Sequence, residues 1–174
     1  MKTSNKTIQY SIYDRTEGGN PVFVADTTKV KRPEIALLTE TLKGSGIMGE
    51  IDFPTMGQLG SMSYEITFKR TNKNAVVFFG QKTQQFETRW VSDVFDTSDA
   101  KFATCANKEI VKAVPKSIGL GEVEGNSANE TTVALEVIYY KYIQDGEVLL
   151  EIDKLNNVFK IDGWDYYEGI REAL

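Results

Sequence analysis

The chain has 174 residues, 41% hydrophobic and 26% charged, with a formal net charge of −5, the make-up of one globular domain with room for a core. It contains no histidine and a single cysteine, Cys105, which excludes Ser-His-Asp and Cys-His machinery, HExxH zinc sites and an internal disulfide. The acidic balance argues against a protein that grips nucleic acid through cations on phosphates.

The first residues, Met-Lys-Thr-Ser-Asn-Lys, lack the apolar centre of a signal peptide, so the expected compartment is the cytoplasm. No apolar run approaches the roughly 20 residues of a membrane-spanning helix, and no membrane anchor is expected. Residues 1–20 read as an N-terminal arm or edge segment: Ile8, Tyr10 and Ile12 alternate, then Glu17-Gly-Gly-Asn20 is polar. Residues 21–174 read as a single β domain. Residues 21–25 predict a short strand, and Lys29-Val-Lys-Arg-Pro33 a basic turn.

Residues 34–43 and 47–53 predict a hairpin around Gly44-Ser45-Gly46. With those three residues as the loop, Glu40 faces Glu50 and Leu38 faces Asp52, so three carboxylates gather on one face. Ile35, Leu37, Ile51 and Phe53 share the other. Opposed carboxylates repel, so the acidic face is expected to look onto water or onto a water-filled channel. No metal site is assigned, because the Gly-punctuated ligand spacing of a Ca²⁺ loop is absent.

Residues 54–60 predict a Gly-containing connector. Residues 62–70 alternate cleanly, with Tyr64, Ile66 and Phe68 inward. The run 74–80 suits either a short helix capped by Asn72 and ended by Gly80 or a buried strand. Residues 83–95 and 109–118 read as strands, the second broken or edged by Pro115. In 119–125 the spacing is GxGxxxG with Glu122 and Glu124 inside it, which predicts a flexible loop rather than a phosphate cradle.

The longest coherent signal is 131–153, two β-rich runs about Asp145-Gly146, a dipeptide suited to a type I′ turn. Unbroken alternation places Val133, Leu135, Val137, Tyr139 and Ile143 beside Val148, Leu150 and Ile152, interrupted only by Lys141. Tyr142 then faces Leu149 and Tyr139 faces Ile152. The other face mixes Glu136, Glu147, Glu151 and Asp153 with Ile138, Tyr140, Tyr142 and Leu149, which suggests contact with another chain. Residues 157–162 give a further strand. Asp165-Tyr-Tyr-Glu168 predicts a capping box, opening a short terminal helix with Tyr167, Ile170 and Leu174 along one stripe. The fold class is therefore mainly β: an antiparallel sandwich or barrel of seven to nine strands, a short C-terminal helix and a possible short mid-chain helix. No catalytic residue and no cofactor motif is predicted.

Arg32-Pro-Glu-Ile, Leu42-Lys-Gly-Ser-Gly-Ile-Met-Gly-Glu-Ile-Asp52, Tyr139-Tyr-Lys-Tyr, Asp145-Gly, Glu151-Ile-Asp-Lys-Leu-Asn-Asn, Val158-Phe-Lys-Ile-Asp-Gly163 and Ile170-Arg-Glu-Ala-Leu174 occur in that order. This order resembles the major tail tube proteins of contractile-tailed, P2-like phages and related phage-tail-like bacteriocins. The resemblance covers about residues 20–174, with 82–128 matching mainly in strand order. It implies a structural subunit rather than an enzyme, assembling with itself into hexameric rings that stack as a tube inside a sheath, each subunit lending strands to a continuous inner barrel. Implied partners are the tail sheath, baseplate and tail terminator proteins, with DNA only as transiting cargo. The location implied is the particle, assembled in the bacterial cytoplasm. On this reading Glu40, Glu50 and Asp52 face the lumen, with Glu136 or Glu151 as further candidates. Gly44, Ser45 and Gly46 with Lys31 and Arg32 meet the next ring. Tyr167, Ile170 and Leu174 belong to an outer helix. A type VI secretion-like tube protein has the same architecture. Two readings from other classes use the residues alone: a monomeric ligand-binding barrel around Trp90, Phe86 and the tyrosines, and a hydrolase using a carboxylate pair such as Glu40 and Glu50.

Overall fold

Strand follows strand along most of the chain, with two six-residue helices between and after them. A computed structural model describes residues 2–174, apart from the side chains at positions 4 and 5. The elements are β1 (Lys2–Asp14), β2 (Val22–Phe23), β3 (Thr27–Lys31), β4 (Leu37–Lys43), β5 (Glu50–Leu59), β6 (Ser63–Phe68), α1 (Lys73–Phe78), β7 (Gln84–Asp96), β8 (Lys101–Gly119), β9 (Thr131–Gln144), β10 (Glu147–Asp153), β11 (Val158–Ile161), β12 (Trp164–Asp165) and α2 (Glu168–Ala173). Ten strands form one antiparallel sheet in the order β12-β11-β10-β9-β8-β7-β1-β2, with β6 branching from β9 and carrying β3; among the described residues β4 and β5 pair only with each other.

The branch lies on β9. Its first half pairs with β6, Ser63 facing Glu136, and its second half with β10, Asp153 facing Tyr139. Between them Ile138 is an extra residue opposite β8, whose Lys112 faces Tyr139 while Ala113 faces Val137. A bulge of one residue shifts every later side chain to the other face. Val133, Leu135 and Val137 point into the core, and after the bulge Tyr140 does so instead of Tyr139. Lys141 leaves the core face with Tyr139 and stands opposite Glu151, which removes the charged interruption that unbroken alternation requires. A second bulge, at Leu149, sets Tyr142 opposite Leu150 and Tyr139 opposite Asp153 rather than Ile152. Asp145 and Gly146 take positive φ, 47° and 88°, as the type I′ turn demands.

The sheet curls over a core of Ile12, Tyr64, Ile66, Phe68, Phe86, Val111 and the inward side of β9. Asn72 Oδ1 accepts from Ala75 N at 2.9 Å. That cap resolves the run 74–80 as a helix, with Ala75 and Phe78 buried and Phe78 edge-on to Phe86 at 4.9 Å. Residues 29–31 lie in strand β3, not in a turn, and most of 54–60 continues β5. Pro115 does not end β8: β7 stops at Gln84 opposite Ala113, so beyond that point no partner on that side needs the missing N–H. One chain does not close a barrel, because among its described residues the sheet ends on β2, β3 and β12.

Candidate functional site: a rooted hairpin with two unlike faces

The hairpin β4–β5 turns through six residues, 44–49, rather than three. Gly46 and Gly49 take φ of 91° and 94°, and Ile47 N donates to Gly44 O at 3.2 Å. Lys43 therefore faces Glu50, Thr41 faces Asp52, Leu42 faces Ile51 and Glu40 faces Phe53. A loop longer by an odd number of residues exchanges the faces of one strand relative to the other. The expected opposition of Glu40 to Glu50 and of Leu38 to Asp52 does not occur, and the three carboxylates do not share a face. Glu50 and Asp52 lie on a polar face, paired with Lys43 Nζ at 3.3 Å and Thr41 Oγ1 at 2.7 Å. Glu40 lies among Leu38, Leu42, Ile51 and Phe53.

Those four apolar side chains are 44–58% exposed. They form one contiguous sheet face in a hairpin whose strands, among the described residues, pair only with each other. Finishing their burial is worth about 1 kcal/mol each. A large contiguous apolar patch left open on a single chain marks a surface made for contact.

Both roots of this hairpin are fixed. Upstream, Arg32 directly follows β3. Its Nε donates to Glu109 Oε2 at 2.9 Å and its Nη2 to the Tyr140 hydroxyl at 2.8 Å, while Tyr140 donates to the same Glu109 oxygen at 2.8 Å. The guanidinium lies over the stacked rings of Trp90 and Tyr142, 4.6 and 4.7 Å from their centroids. Glu109 is fully buried on the core face of β8, and among the described residues its Oε1 accepts no well-formed hydrogen bond. Burial raises its pKa, outweighing Arg32 and the hydrogen bond from Tyr140. Burial and the Glu109 charge together push the Tyr140 phenol far up. A cavity of about 340 Å³ borders this cluster, lined among others by Tyr10, Val30, Thr88 and Trp90.

Downstream, three extra residues of β5 bulge out between the pairs Thr39–Pro54 and Leu37–Leu59. Gly57, at φ 71°, sits there against α2: a Cβ would lie 2.5 Å from the Tyr167 ring and 3.1 Å from Ile170 Cδ1. Gly60 N donates to Ala36 O at 2.9 Å and Lys154 Nζ to Gly60 O at 2.7 Å. The helix is anchored in turn by Arg171, which donates to Asp165 Oδ2 at 2.5 Å. This hydrogen bond holds the Asp165 carboxyl below its ordinary range. The expected capping box is not formed: Asp165 Oδ1 accepts from Tyr167 N, Tyr167 is the N-cap, and no side chain caps the helix.

The residues singled out from sequence are thus divided. Gly44, Ser45 and Gly46 lie at the exposed tip, and Lys31 is exposed and paired with Glu65 at 3.1 Å. Arg32 is engaged inside its own subunit. Tyr167 and Ile170 pack on Gly57, while Leu174 stays exposed. Glu136 accepts from Ser61 and from Met62 N, and Lys116 and Lys154 approach it; Glu151 accepts from the Tyr139 hydroxyl. The sequence reading missed Glu109, Tyr140 and Gly57. The signal for Glu109 was its parity with Val111 and Ala113 on one strand face.

The family model for phage tail tube protein FII matches residues 16–174. The chain belongs to that family. This tail tube subunit is a structural component of a phage tail or phage-tail-like particle. Among solved structures, a chain of the anti-feeding prophage baseplate, determined by cryo-EM and 6-fold symmetrised, shares its fold with TM-score 0.50 and 14% identity over 82% of this chain and 97% of that one. Two chains of the extracellular contractile injection system PVC are also similar. One, from the sheath/tube terminator, has TM-score 0.49 and 10% identity over 81% and 96% of the two chains. The other, from the sheath–tube complex, has TM-score 0.48 and 11% identity over 79% and 88%. No curated protein matches the chain.

Proposed function

We propose that copies of this tail tube subunit assemble as six-membered rings stacked into a tube, and that the apolar face of the β4–β5 hairpin is finished by a neighbouring copy. The observation that carries this is the contrast within the hairpin: both roots are fixed, yet Leu38, Leu42, Ile51 and Phe53 stand open. The rings join their sheets into a continuous inner barrel, which hides the edges that one chain leaves unpaired. The Gly44-Ser45-Gly46 tip and Lys31 meet the next ring, while Arg32 fixes the root behind them. Glu50 and Asp52 face the lumen, where negative charge lets a DNA cargo pass without sticking. Glu40 belongs to the docking face. The tube works by shape, inside a sheath and between a baseplate and a terminator, and no residue does covalent chemistry.

The test is assembly. Wild-type protein is expected to yield tubes in negative-stain images and a Leu42→Asp variant only monomers of unchanged fold. Tubes formed equally by both would overturn the role given to the hairpin. A Glu50→Cys variant in assembled tubes is expected to resist a maleimide polymer too wide for the bore while reacting as a free subunit. Equal reaction in both states would place Glu50 outside the lumen.

A further inference from the structure

A second apolar surface stands open on the same chain. Helix α1 buries Ala75 and Phe78 but leaves Val76, Val77 and Phe79 exposed at 55%, 45% and 42%. Lys73 lies on the side of Val76 and Val77, three and four residues before them, and is exposed. Beside the helix an open groove of about 410 Å³ is lined by Gln81, Lys82, Thr83, Val114 and Pro115. The groove exists because β7 ends at Gln84 while β8 runs on past Pro115.

Resting on the tube reading, we propose that the exposed face of α1 on one subunit receives the apolar face of the β4–β5 hairpin of another copy, with Glu40 paired to Lys73. Three observations lead there. The two elements are of kinds that pack, since the apolar faces of a strand pair and of a helix bury each other as two layers of a core do. The two surfaces are anchored in different parts of one chain: the hairpin is rooted against Lys154, Tyr167 and Ile170, whereas α1 packs on β9 and buries Ala75 and Phe78 in the core. The charges match. Glu40 is the one charged side chain on the hairpin's apolar face, and neither it nor Lys73 has an ion-pair partner among the described residues.

Two unlike patches on one subunit make a heterologous contact, which propagates from copy to copy and either closes as a ring or extends as a filament. Hairpin against hairpin would instead give a two-fold dimer with two Glu40 carboxylates facing each other. Only the heterologous arrangement leaves each copy with one hairpin to give and one helix to offer.

The inference is tested with the full chain in assembled tubes. Leu42→Cys and Val77→Cys variants, mixed before assembly, are expected to form a disulfide between copies, while native Cys105, which is buried, stays unreacted. Glu40→Lys alone and Lys73→Glu alone are each expected to lower tube yield about tenfold or more, because each places like charges together, and the double variant is expected to recover it. A Phe53→Asp chain mixed with a Val76→Asp, Val77→Asp chain retains one good hairpin and one good helix, and is expected to stop at a pair visible in sedimentation. Tubes of the mixed cysteine variants without a crosslink between positions 42 and 77, or single charge variants assembling normally, would remove α1 as the receptor and leave the tube reading intact. Wild type that builds no tubes even alongside its sheath would remove both.

Discussion

The curled sheet and the β4–β5 hairpin are made of the same residue types and reach opposite states. In the sheet, Phe68, Phe86, Ile66 and Val111 are fully buried, and even its charges find partners. Glu109 is held by Arg32 and Tyr140, and Glu87, also buried, is surrounded by Arg15, Arg89 and Lys108. In the hairpin, Leu38, Leu42, Ile51 and Phe53 stay open and Glu40 has no cation among the described residues. The difference separates folding from assembly. The core side of the sheet is filled by its own chain, and the hairpin, held at both ends, is a finished shape with an unfinished environment.

Substitutions should split along that line. Phe86→Ala is expected to cost about 3–5 kcal/mol of subunit stability in urea unfolding, the range for emptying an aromatic site in a core. Arg32→Ala comes next, at about 3 kcal/mol near neutral pH, because it strands the Glu109 carboxylate. Its pH dependence fixes the sign. The folded-state pKa of Glu109 is already raised by burial and rises further without Arg32. Protonation therefore relieves the strain, and the variant's deficit should shrink as pH falls towards 4 and grow as pH rises through the raised pKa. A deficit independent of pH would count against Glu109 as the stranded group. Gly57→Ala should cost about 2 kcal/mol, from positive φ and the clash with Tyr167, and should also misdirect the hairpin, lowering tube yield more than stability explains.

Acid acts more gently on the terminal helix. The Asp165 carboxyl is held low, so its hold on Arg171 is present above the ordinary carboxylate range and is lost as pH falls through the lowered pKa, below about pH 4. The fluorescence of neighbouring Trp164, itself largely exposed, is expected to change there before global unfolding, and Asp165→Asn should abolish that early step. At the small end, Phe53→Ser in the hairpin should change subunit stability by no more than about 0.5 kcal/mol while stopping assembly. A large loss of stability would mean that the hairpin packs on its own subunit.

The mainly β class, the Asp145-Gly146 turn, strand β6 and the terminal helix were legible because each rests on a local signal: alternation, a turn dipeptide or a short apolar stripe. What escaped depends on counting across an irregularity. The loop 44–49 has three residues more than Gly44-Ser45-Gly46 suggests, and that alone separates Glu40 from Glu50 and Asp52. The bulge at Ile138 reversed the faces of Tyr139, Tyr140 and Tyr142, the one at Leu149 changed the residues opposite them, and the only advance sign was a lysine, Lys141, on a supposed core face. Arg32 looked like part of a solvated basic turn because its partners, Glu109 and Tyr140, lie 77 and 108 residues away. The family itself was legible from the order of motifs, since order survives when registers slip.

The central claim is that the hairpin's apolar face is covered in the tube and bare in the free subunit. Amide hydrogen exchange followed by mass spectrometry on free subunits and on purified tubes addresses it directly. Exchange across residues 37–56 should slow strongly on assembly, together with 73–80, while the core strands β7 and β8 change little. Hairpin amides that exchange as fast in tubes as in free subunits would contradict the account.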